Sequence, residues 1–472
     1  MRYLACFCPL LLAACGIAYQ AQPIQQQQNI ENIQQASPTQ EGFKEFVRTQ
    51  YPQTVWPITS WDIDRLTLSA LYFHPALKVA KSDYAVALAG ITSAGLRPMV
   101  GLNGQLSHSN QANGDINPWA YGLQVDIPFI TANKRQINID IAQYQADIAK
   151  IFVSESAWML RQQLSLDLIT LAEQQALHSS LTKLQKSQAD LLNAYQKRLD
   201  LGVAGKSDVL PIRLQHDQAA WQLQQLTLQI KQTQQKIMHD AGLTDQQNVS
   251  LNIAPLNISQ ILKARFEQPQ TYHDAKTIQH YALINRMDIQ RGLAQYAKAE
   301  SQLRLEMAKR YPDISLSPGI LYEYGDRIWA LGIGGMLNLL NKSSDLWAYA
   351  EQVRQNEATR FYALQHHIIQ LSEQTYLKYR DTANLLITIT QEYTQQSSRK
   401  QQLESQWRKG LIDKTEYLQT EIQFYAAQQR LVIQQANVLR ALQEIENVMQ
   451  KPLLLSEQSM TFAIKTQEAP LK

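Results

Sequence analysis

Few residues in this 472-residue chain have the types and spacing that catalysis or metal binding requires. The sequence contains no phosphate-binding glycine loop with its lysine, no His-Glu-x-x-His helix and no Cys-x-x-Cys pair. The nine histidines are scattered, and the adjacent His366 and His367 would face different directions on a helix. The methionines do not cluster, so nothing indicates a copper cargo. We therefore expect no enzyme activity, no cofactor and no resident metal.

One cysteine indicates lipid attachment. Residues 1–15 contain a short apolar segment, too short to span a membrane as a helix, and end in Leu12-Ala13-Ala14-Cys15. This ending matches a bacterial lipoprotein box, so we expect cleavage before Cys15 and acylation of its thiol. By the sorting rules of such lipoproteins, Gly16 favours the outer membrane. An ordinary secretory signal with an incidental cysteine is the alternative.

The composition excludes several classes of protein. The net charge is +3 and 18% of residues are charged, against about 25% in typical soluble domains. No basic run indicates nucleic-acid binding, and no apolar stretch after the signal is long enough for a transmembrane helix. Residues 16–60 form a tether and N-terminal segment in this interpretation, because 20–40 are rich in glutamine and predict a flexible chain.

Two segments alternate between apolar and polar residues and predict β-hairpins. The strands are expected at about 98–110 and 119–130, and again at about 312–324 and 328–340. The apolar parity includes Leu123, Val125, Leu331 and Leu337, and the polar parity includes Gln124 and Ser317. Strands of about ten residues suit a tilted membrane crossing with the apolar face toward lipid. A soluble antiparallel sheet with one wet face gives the same alternation.

Helical patterns of unequal length surround each hairpin. Helical periodicity at 64–96, interrupted by His74-Pro75, and at 272–309 precedes the hairpins. Segments 132–199 and 343–409 follow them, and each would be roughly 100 Å long as a helix. Each long segment ends at a glycine turn, which we call the first tip turn (201–205) and the second tip turn (409–412). Shorter helices, 207–241 and 413–449, return from these turns.

The order of these elements indicates an internal duplication. Pro312 follows Pro98 by 214 residues, and Gly410 follows Gly202 by 208. We divide the chain into a first repeat at 61–245, an equatorial linker at 246–271, a second repeat at 272–451 and a C-terminal equatorial segment at 452–472. The lengths predict that two short helices stack end to end along each long helix, with the leftover segments gathered in a belt at mid-height.

From about residue 60 onward the chain resembles the TolC family of outer-membrane efflux proteins. The resemblance is carried by Phe73-His74-Pro75-Ala76-Leu77, by the Arg97-Pro98 and Tyr311-Pro312 entries into strands, by the tip turns and by the duplicated order. It implies a mixed α/β membrane protein: a trimeric twelve-stranded β-barrel, four strands per chain, continued by a long periplasmic α-helical barrel with a mixed equatorial belt. Four amphipathic strands would also leave two open edges, whose backbone N–H and C=O groups find no hydrogen-bond partners in lipid. Closure of the barrel therefore requires further copies of the chain.

The function implied by this resemblance is a passive exit duct. The expected partners are two further copies in a homotrimer, a periplasmic adaptor (membrane fusion) protein, an inner-membrane pump and outer-membrane lipid. An outer-membrane component of type I protein secretion and a periplasmic adaptor lipoprotein are the alternatives, and a lipid-modifying enzyme is disfavoured because no nucleophile–base constellation occurs. Drugs, metal ions and polypeptides all remain open as cargo.

The resemblance places the functional residues near the tip turns. The expected aperture residues are Glu416, Gln419, Asp208 and Trp407. Gln419 departs from an acidic family position, and Ile412 stands where some members have an arginine. Asp208 and Asp413 also suit the first turn of a helix, where acids complement the dipole. The residues expected to contact the adaptor are Gly202, Val203, Ala204, Gly410, Leu411 and Ile412, among which Val203, Leu411 and Ile412 are expected to be exposed hydrophobes.

Overall fold

A computed structural model of the chain describes residues 20–34, 37–50, 56–110, 114, 117–243, 251–267, 274–323, 325–336 and 343–453. Cys15, Leu337 and the segment 454–472 lie outside these ranges. The elements are α1 Gln26–Gln34, α2 Glu41–Gln50, α3 Ile63–Phe73, α4 Pro75–Ala94, β1 Gly101–His108, β2 Trp119–Phe129, α5 Lys134–Asp200, α6 Lys206–Asp240, α7 Ile258–Glu267, α8 Ala275–Asn285, α9 Met287–Ala308, β3 Ile314–Glu323, β4 Asp326–Gly335, α10 Ser343–Arg408 and α11 Lys414–Met449.

The four strands form one antiparallel sheet in the order β1-β2-β3-β4. The two predicted hairpins are therefore confirmed, and they are joined through β2 and β3, where Tyr121 pairs with Tyr322 and Leu123 with Ile320. This register places the apolar parities of both hairpins on one face. The stacked rings of Tyr121 and Tyr322, with centroids 4.9 Å apart, show the alignment directly.

The long helices organise the rest of the chain. Helix α5 has 67 residues and α10 has 66, so each is roughly 100 Å long at 1.5 Å per residue. The short helices α4 and α6 both pack along α5, and α9 and α11 both pack along α10. Helix α5 also contacts α9 and α11, which joins the two repeats side by side. The predicted stacking of short helices along a long one is thus confirmed.

The duplication is also visible where the returning helices end. Helix α6 ends at Gly242 with φ +76°, and α11 ends 208 residues later at Gln450 with φ +48°. Position 242 requires glycine, because a Cβ on this residue would lie only 2.7 Å from the amide nitrogen of His74 and collide with that backbone. In the second repeat the corresponding residue is Gln450, which has a side chain. Its Oε1 accepts a hydrogen bond from the amide of Met287 at 2.6 Å.

The expectation of one uninterrupted helix over 272–309 is wrong. The helix breaks at Arg286, whose ψ of 130° is extended, although no proline is present. Tertiary contacts hold the break: the Arg286 guanidinium donates to both carboxylate oxygens of Asp288 and, at 3.1 Å, to the carbonyl of Val448. In the first repeat, proline imposes the corresponding break between α3 and α4 at His74-Pro75.

The N-terminal segment also differs from the expectation. Residues 26–34, predicted to lie within a flexible tether, form α1, because glutamine is a good helix former and its abundance alone does not predict disorder. Helix α2 follows and buries Phe43 and Val47 in the core of the first repeat. That core extends through Trp61 and Leu66 to residues of α5 and α6.

The linker assigned to 246–271 packs against both repeats. Trp61 and Ile253 form a parallel bridge, with Trp61 donating to Asn252 at 2.9 Å and accepting from Ala254 at 3.0 Å. Helix α7 packs on α11 and α5 through Ile258 and Leu262, in the core of the second repeat. Within the described ranges, no helix combines the length and apolar character needed to cross a membrane.

A buried ion pair joins the two repeats. Arg161 of α5 and Glu446 of α11 are 0% and 1% exposed, and their closest nitrogen and oxygen atoms are 2.5 Å apart. Gln162 Nε2 and the amide of Leu453 also donate to this carboxylate, at 3.0 and 2.9 Å. Next to them Trp158 Nε1 donates to Asn447 at 2.9 Å. Such a network fixes the register of α5 against α11, because any shift would leave buried charge unpaired.

Candidate functional site

The two tip turns have the same backbone geometry. Gly202 and Gly410 both have φ +73°, a left-handed conformation that glycine adopts without strain. In each turn the glycine amide donates to the carbonyl three residues earlier at 2.9 Å, and the next amide donates to the carbonyl five residues earlier, at 2.8 and 3.0 Å. This pair of bonds is the Schellman motif, which ends a helix and reverses the chain tightly. The turns therefore present the same short loop twice.

Most, but not all, of the apolar residues in these turns are exposed. Val203 is 75% exposed and Leu411 is 70% exposed, as expected. The expectation for Ile412 is wrong, because this side chain is only partly exposed and packs against the cluster of Leu191, Tyr417 and Leu418. Ile412 thus attaches its own turn to α5. Ala204 is also partly covered. Val203 and Leu411, which each follow the turn glycine, remain largely exposed, as does Leu201 before Gly202.

An ion pair joins the two repeats near the tip turns. The guanidinium of Arg198, in the last turn of α5, binds the carboxylate of Asp413 at the start of α11. Asp413 also caps α11, accepting from the amide of Thr415 at 3.3 Å and from its hydroxyl at 3.1 Å. Its role at the helix N-terminus is therefore observed, and the tie to Arg198 comes in addition. No local signal indicates this pair, because its members are far apart along the chain.

The acidic residues proposed for the aperture occupy different environments. Asp208 is engaged locally, since its Oδ2 accepts a hydrogen bond from the amide of Gly205 at 2.8 Å, at the start of α6. Glu416 and Gln419 are both exposed on the first turns of α11. No side-chain ion pair of Glu416 occurs among the described residues. A spacing of three residues places Glu416 and Gln419 on the same face of the helix.

A polar cluster lies about two and a half helical turns from the second tip turn. Lys400 of α10 and Glu421 of α11 form an ion pair at 3.1 Å, and Glu421 also accepts from Tyr417 at 3.1 Å and from Ser187 of α5 at 2.8 Å. Trp407 stacks on Tyr417, with centroids 5.1 Å apart and planes 6° apart. Trp407 is therefore part of the packing that surrounds the tip. Sequence reasoning missed this cluster, whose members come from three helices.

The charge states of this cluster are stable near neutral pH. Burial alone would lower the pKa of Lys400, but its hydrogen bond to Glu421 and the charge of that carboxylate raise the pKa above its ordinary value. Burial, together with the charge of Glu421, raises the pKa of Tyr417 as well. Lys400 is thus a cation and Tyr417 a neutral donor over the whole physiological range. The cluster therefore joins α5, α10 and α11 in the same charge state across this range.

At the opposite end of the helices, the sheet leaves its apolar face uncovered. Trp329, Leu331 and Ile333 of β4 are 79%, 67% and 74% exposed. On the other face Gln124 donates to Asp126 at 2.8 Å, and Asn103 donates to the same carboxylate. An exposed apolar face of this extent requires lipid or protein to cover it. The outer edges of β1 and β4 are also unpaired within the described part of the chain, so each edge offers a row of backbone groups to another strand.

The comparisons with known proteins agree with this architecture. The profile of a family described as "Outer membrane efflux protein" matches residues 69–242. The outer membrane protein VceC of Vibrio cholerae has a similar structure, with a TM-score of 0.66 and 15% identity over 84% of this chain and 99% of that one. The CmeC outer membrane channel of Campylobacter jejuni gives 0.62 and 11%, over 88% of this chain and 94% of its own.

The MtrE outer membrane channel of Neisseria gonorrhoeae, solved in an open state, gives a TM-score of 0.65 and 13% identity, over 82% of this chain and 89% of its own. No curated protein matches the sequence at a significant level. The structural similarity at such low identity establishes a fold of long helices with four antiparallel strands per chain.

Proposed function

We propose that the chain is a member of the outer membrane efflux protein family, whose profile matches residues 69–242, and that three copies form the passive exit duct of a tripartite efflux system. Four strands from each copy would close a twelve-stranded barrel in the outer membrane. The helices would continue this barrel as a tunnel into the periplasm, where the tip turns meet an adaptor protein fed by an inner-membrane pump. Each copy supplies one third of the wall.

One observation carries this proposal: a sheet with an uncovered apolar face and two open edges stands at the end of helices roughly 100 Å long. A single copy cannot enter lipid with unpaired strand edges, because the bilayer offers no hydrogen-bond partners. Closure with other copies removes both edges at once, and it leaves the polar face toward an aqueous interior. The exposed Leu411 and Val203 supply contacts for a partner at the far end.

Conductance measurements test both the duct and its aperture. Purified protein in a planar bilayer should form channels, and three Glu416 carboxylates around a narrow entrance should make cations block the current from that side. Glu416→Ala should weaken this block and change the conductance. Gln419→Glu, one turn further on the same face, should strengthen the block because it adds a second ring of charge. Absence of channels would reject the duct, whereas unchanged block in both variants would remove these residues from its interior.

The barrel predicts opposite outcomes for neighbouring residues of β2. Leu123 is 56% exposed on the apolar face, and Leu123→Arg should cost about 2–4 kcal/mol of stability because it places a charge against lipid. Gln124→Arg, on the polar face, should be tolerated. The measurement is the urea midpoint and yield of the assembled protein in both variants. A larger loss in Gln124→Arg than in Leu123→Arg would show that the faces are assigned the wrong way round.

We also propose that Cys15 carries a lipid anchor. The lipoprotein box supports this, and mass spectrometry of the mature protein should find an acylated N-terminal cysteine. An unmodified N-terminus at any later residue would contradict the proposal.

A further inference from the structure

The helix-side end of the sheet gathers basic side chains. The last residues of α4 and α9 and the first residues of α5 meet the bases of the strands there. Five cationic residues lie within this junction: Arg97, Lys134, Arg135, Lys309 and Arg310. Two hydrogen bonds join the segments that carry these residues, because Lys134 donates to the carbonyl of Tyr311 at 2.5 Å and Arg135 Nε donates to the carbonyl of Gly95 at 2.8 Å.

One of these cations is fully used within the protein. Besides its bond to Tyr311, the ammonium of Lys134 lies 2.8 Å from Asp313 Oδ1 and 3.5 Å from the Thr131 hydroxyl. An ammonium has three donors, so Lys134 has none left for a ligand. It is a structural cation that ties the start of α5 to the base of β3.

Three other cations are available. Arg97 and Arg310 are exposed, and neither side chain makes an ion pair among the described residues. Arg135 is also exposed, and it uses only Nε and Nη2, both toward the carbonyl of Gly95, which carries no formal charge. The fourth, Lys309, pairs with Glu306 at 2.6 Å, but both side chains are solvent-accessible and such a pair contributes little. Among the described residues, the junction therefore carries three guanidinium groups that have no carboxylate partner.

Exposed apolar side chains lie in the same junction. Leu96, Met99 and Met336 are 66%, 92% and 93% exposed. Met336 also lines a cleft of about 740 Å³ at the bases of β2, β3 and β4, together with Lys309, Tyr311, the Lys134–Asp313 ion pair and apolar residues from the ends of these strands. A ligand that fits this surface needs an anionic group beside a hydrocarbon part. An arginine fork matches phosphate oxygens in particular.

The opposite end of the sheet has a different charge. Glu323 and Asp326 form the turn end of β3 and β4 and pair directly across the hairpin, next to the single cation Arg327. Among the described residues, five lysine and arginine side chains thus lie at the helix-side end, whereas this turn carries only Arg327. The two ends of the sheet would therefore present different charges to the two surfaces of the membrane.

We propose that the helix-side end of the sheet binds the phosphate of an anionic glycerophospholipid in the periplasmic leaflet. The inference rests on the proposed function, which sets the sheet in the outer membrane with its helices in the periplasm. Arg97, Arg135 and Arg310 bind the phosphate, Tyr311 lies at the interface and the apolar residues of the cleft contact the first part of the acyl chains. The lipid anchors the base of the barrel at a fixed depth.

Native mass spectrometry of the purified full-length protein tests this inference. Titration with dioleoylphosphatidylglycerol should show tighter retention than titration with dioleoylphosphatidylcholine, and added salt should reduce the preference. Each arginine near an anionic surface contributes about fivefold in affinity, so Arg97→Gln with Arg310→Gln should reduce phosphatidylglycerol retention about thirtyfold. Arg327→Gln, at the other end of the same sheet, should leave it unchanged.

Three results would overturn the inference: no preference for phosphatidylglycerol in the unaltered protein, the same preference in the double variant, or displacement of the lipid by millimolar inorganic phosphate, which would identify a site for the free ion. Assembly of each variant is checked by gel filtration. The conductance of the same preparation is measured as well, so that failure of the lipid site can be distinguished from failure of the proposed duct. Channels without lipid preference reject only the lipid site, and lipid preference without channels rejects only the duct.

Discussion

Glu446→Ala should destabilise the protein by about 3–5 kcal/mol, because it leaves the Arg161 guanidinium buried without its partner carboxylate. Both side chains are almost completely inaccessible, so water cannot take the place of the lost oxygen atoms. The amide of Leu453 and the Gln162 side chain lose an acceptor at the same time. The expected result is a lower melting temperature and a reduced yield of assembled protein.

Glu444 provides the matched control, two residues earlier on the same helix. It pairs with Lys378, but the two side chains are 41% and 56% exposed, so Glu444→Ala should cost no more than about 1 kcal/mol. Combining Arg161→Met with Glu446→Leu should recover much of the loss, since an apolar pair of similar volume leaves no buried charge. Equal melting temperatures for Glu446→Ala and Glu444→Ala would show that the buried pair does not hold α5 against α11.

Leu411→Asp should abolish pump-dependent export while assembly and melting temperature stay near those of the unaltered protein. Leu411 is 70% exposed and follows the left-handed glycine of the second tip turn, so the folded chain loses no packing. In a docked complex the new carboxylate would be buried without a partner, and a cost of about 2 kcal/mol corresponds to roughly thirtyfold weaker docking. Export is measured as clearance of a pump substrate from cells that carry only the variant.

Leu411→Met is the control for this experiment, since it keeps an apolar side chain of similar volume and should retain export. Val203→Asp tests the duplicate position in the first tip turn, where the backbone geometry is the same. Full export by Leu411→Asp and by Val203→Asp would exclude both tip turns from the docking surface. Loss of assembly in Leu411→Asp alone would instead indicate that the second turn packs between copies.

Much of the candidate site follows from local signals in the chain. Gly202 and Gly410 could be identified as turn residues because glycine adopts a left-handed conformation freely, and both have φ +73°. The exposure of Val203 and Leu411 followed from their place in such short turns. The contacts that hold the tips together could not be predicted, since Arg198 and Asp413, or Lys400 and Glu421, meet only when separate helices pack. The periodicity of one helix does not predict which residue of another helix will contact it.

The repeat, the alternating strands, the long helices and the turns between them could all be predicted, because these features depend on periodicity and backbone preference within a few residues. The break at Arg286 depends instead on tertiary contacts, since bonds to Asp288 and Val448 replace the proline of the first repeat. The inward packing of Ile412 and the meeting of Arg161 with Glu446, 285 residues apart, also depend on how the helices pack. Side chains so far apart in sequence are brought together by helix packing, whose register is set by the whole interface between two helices.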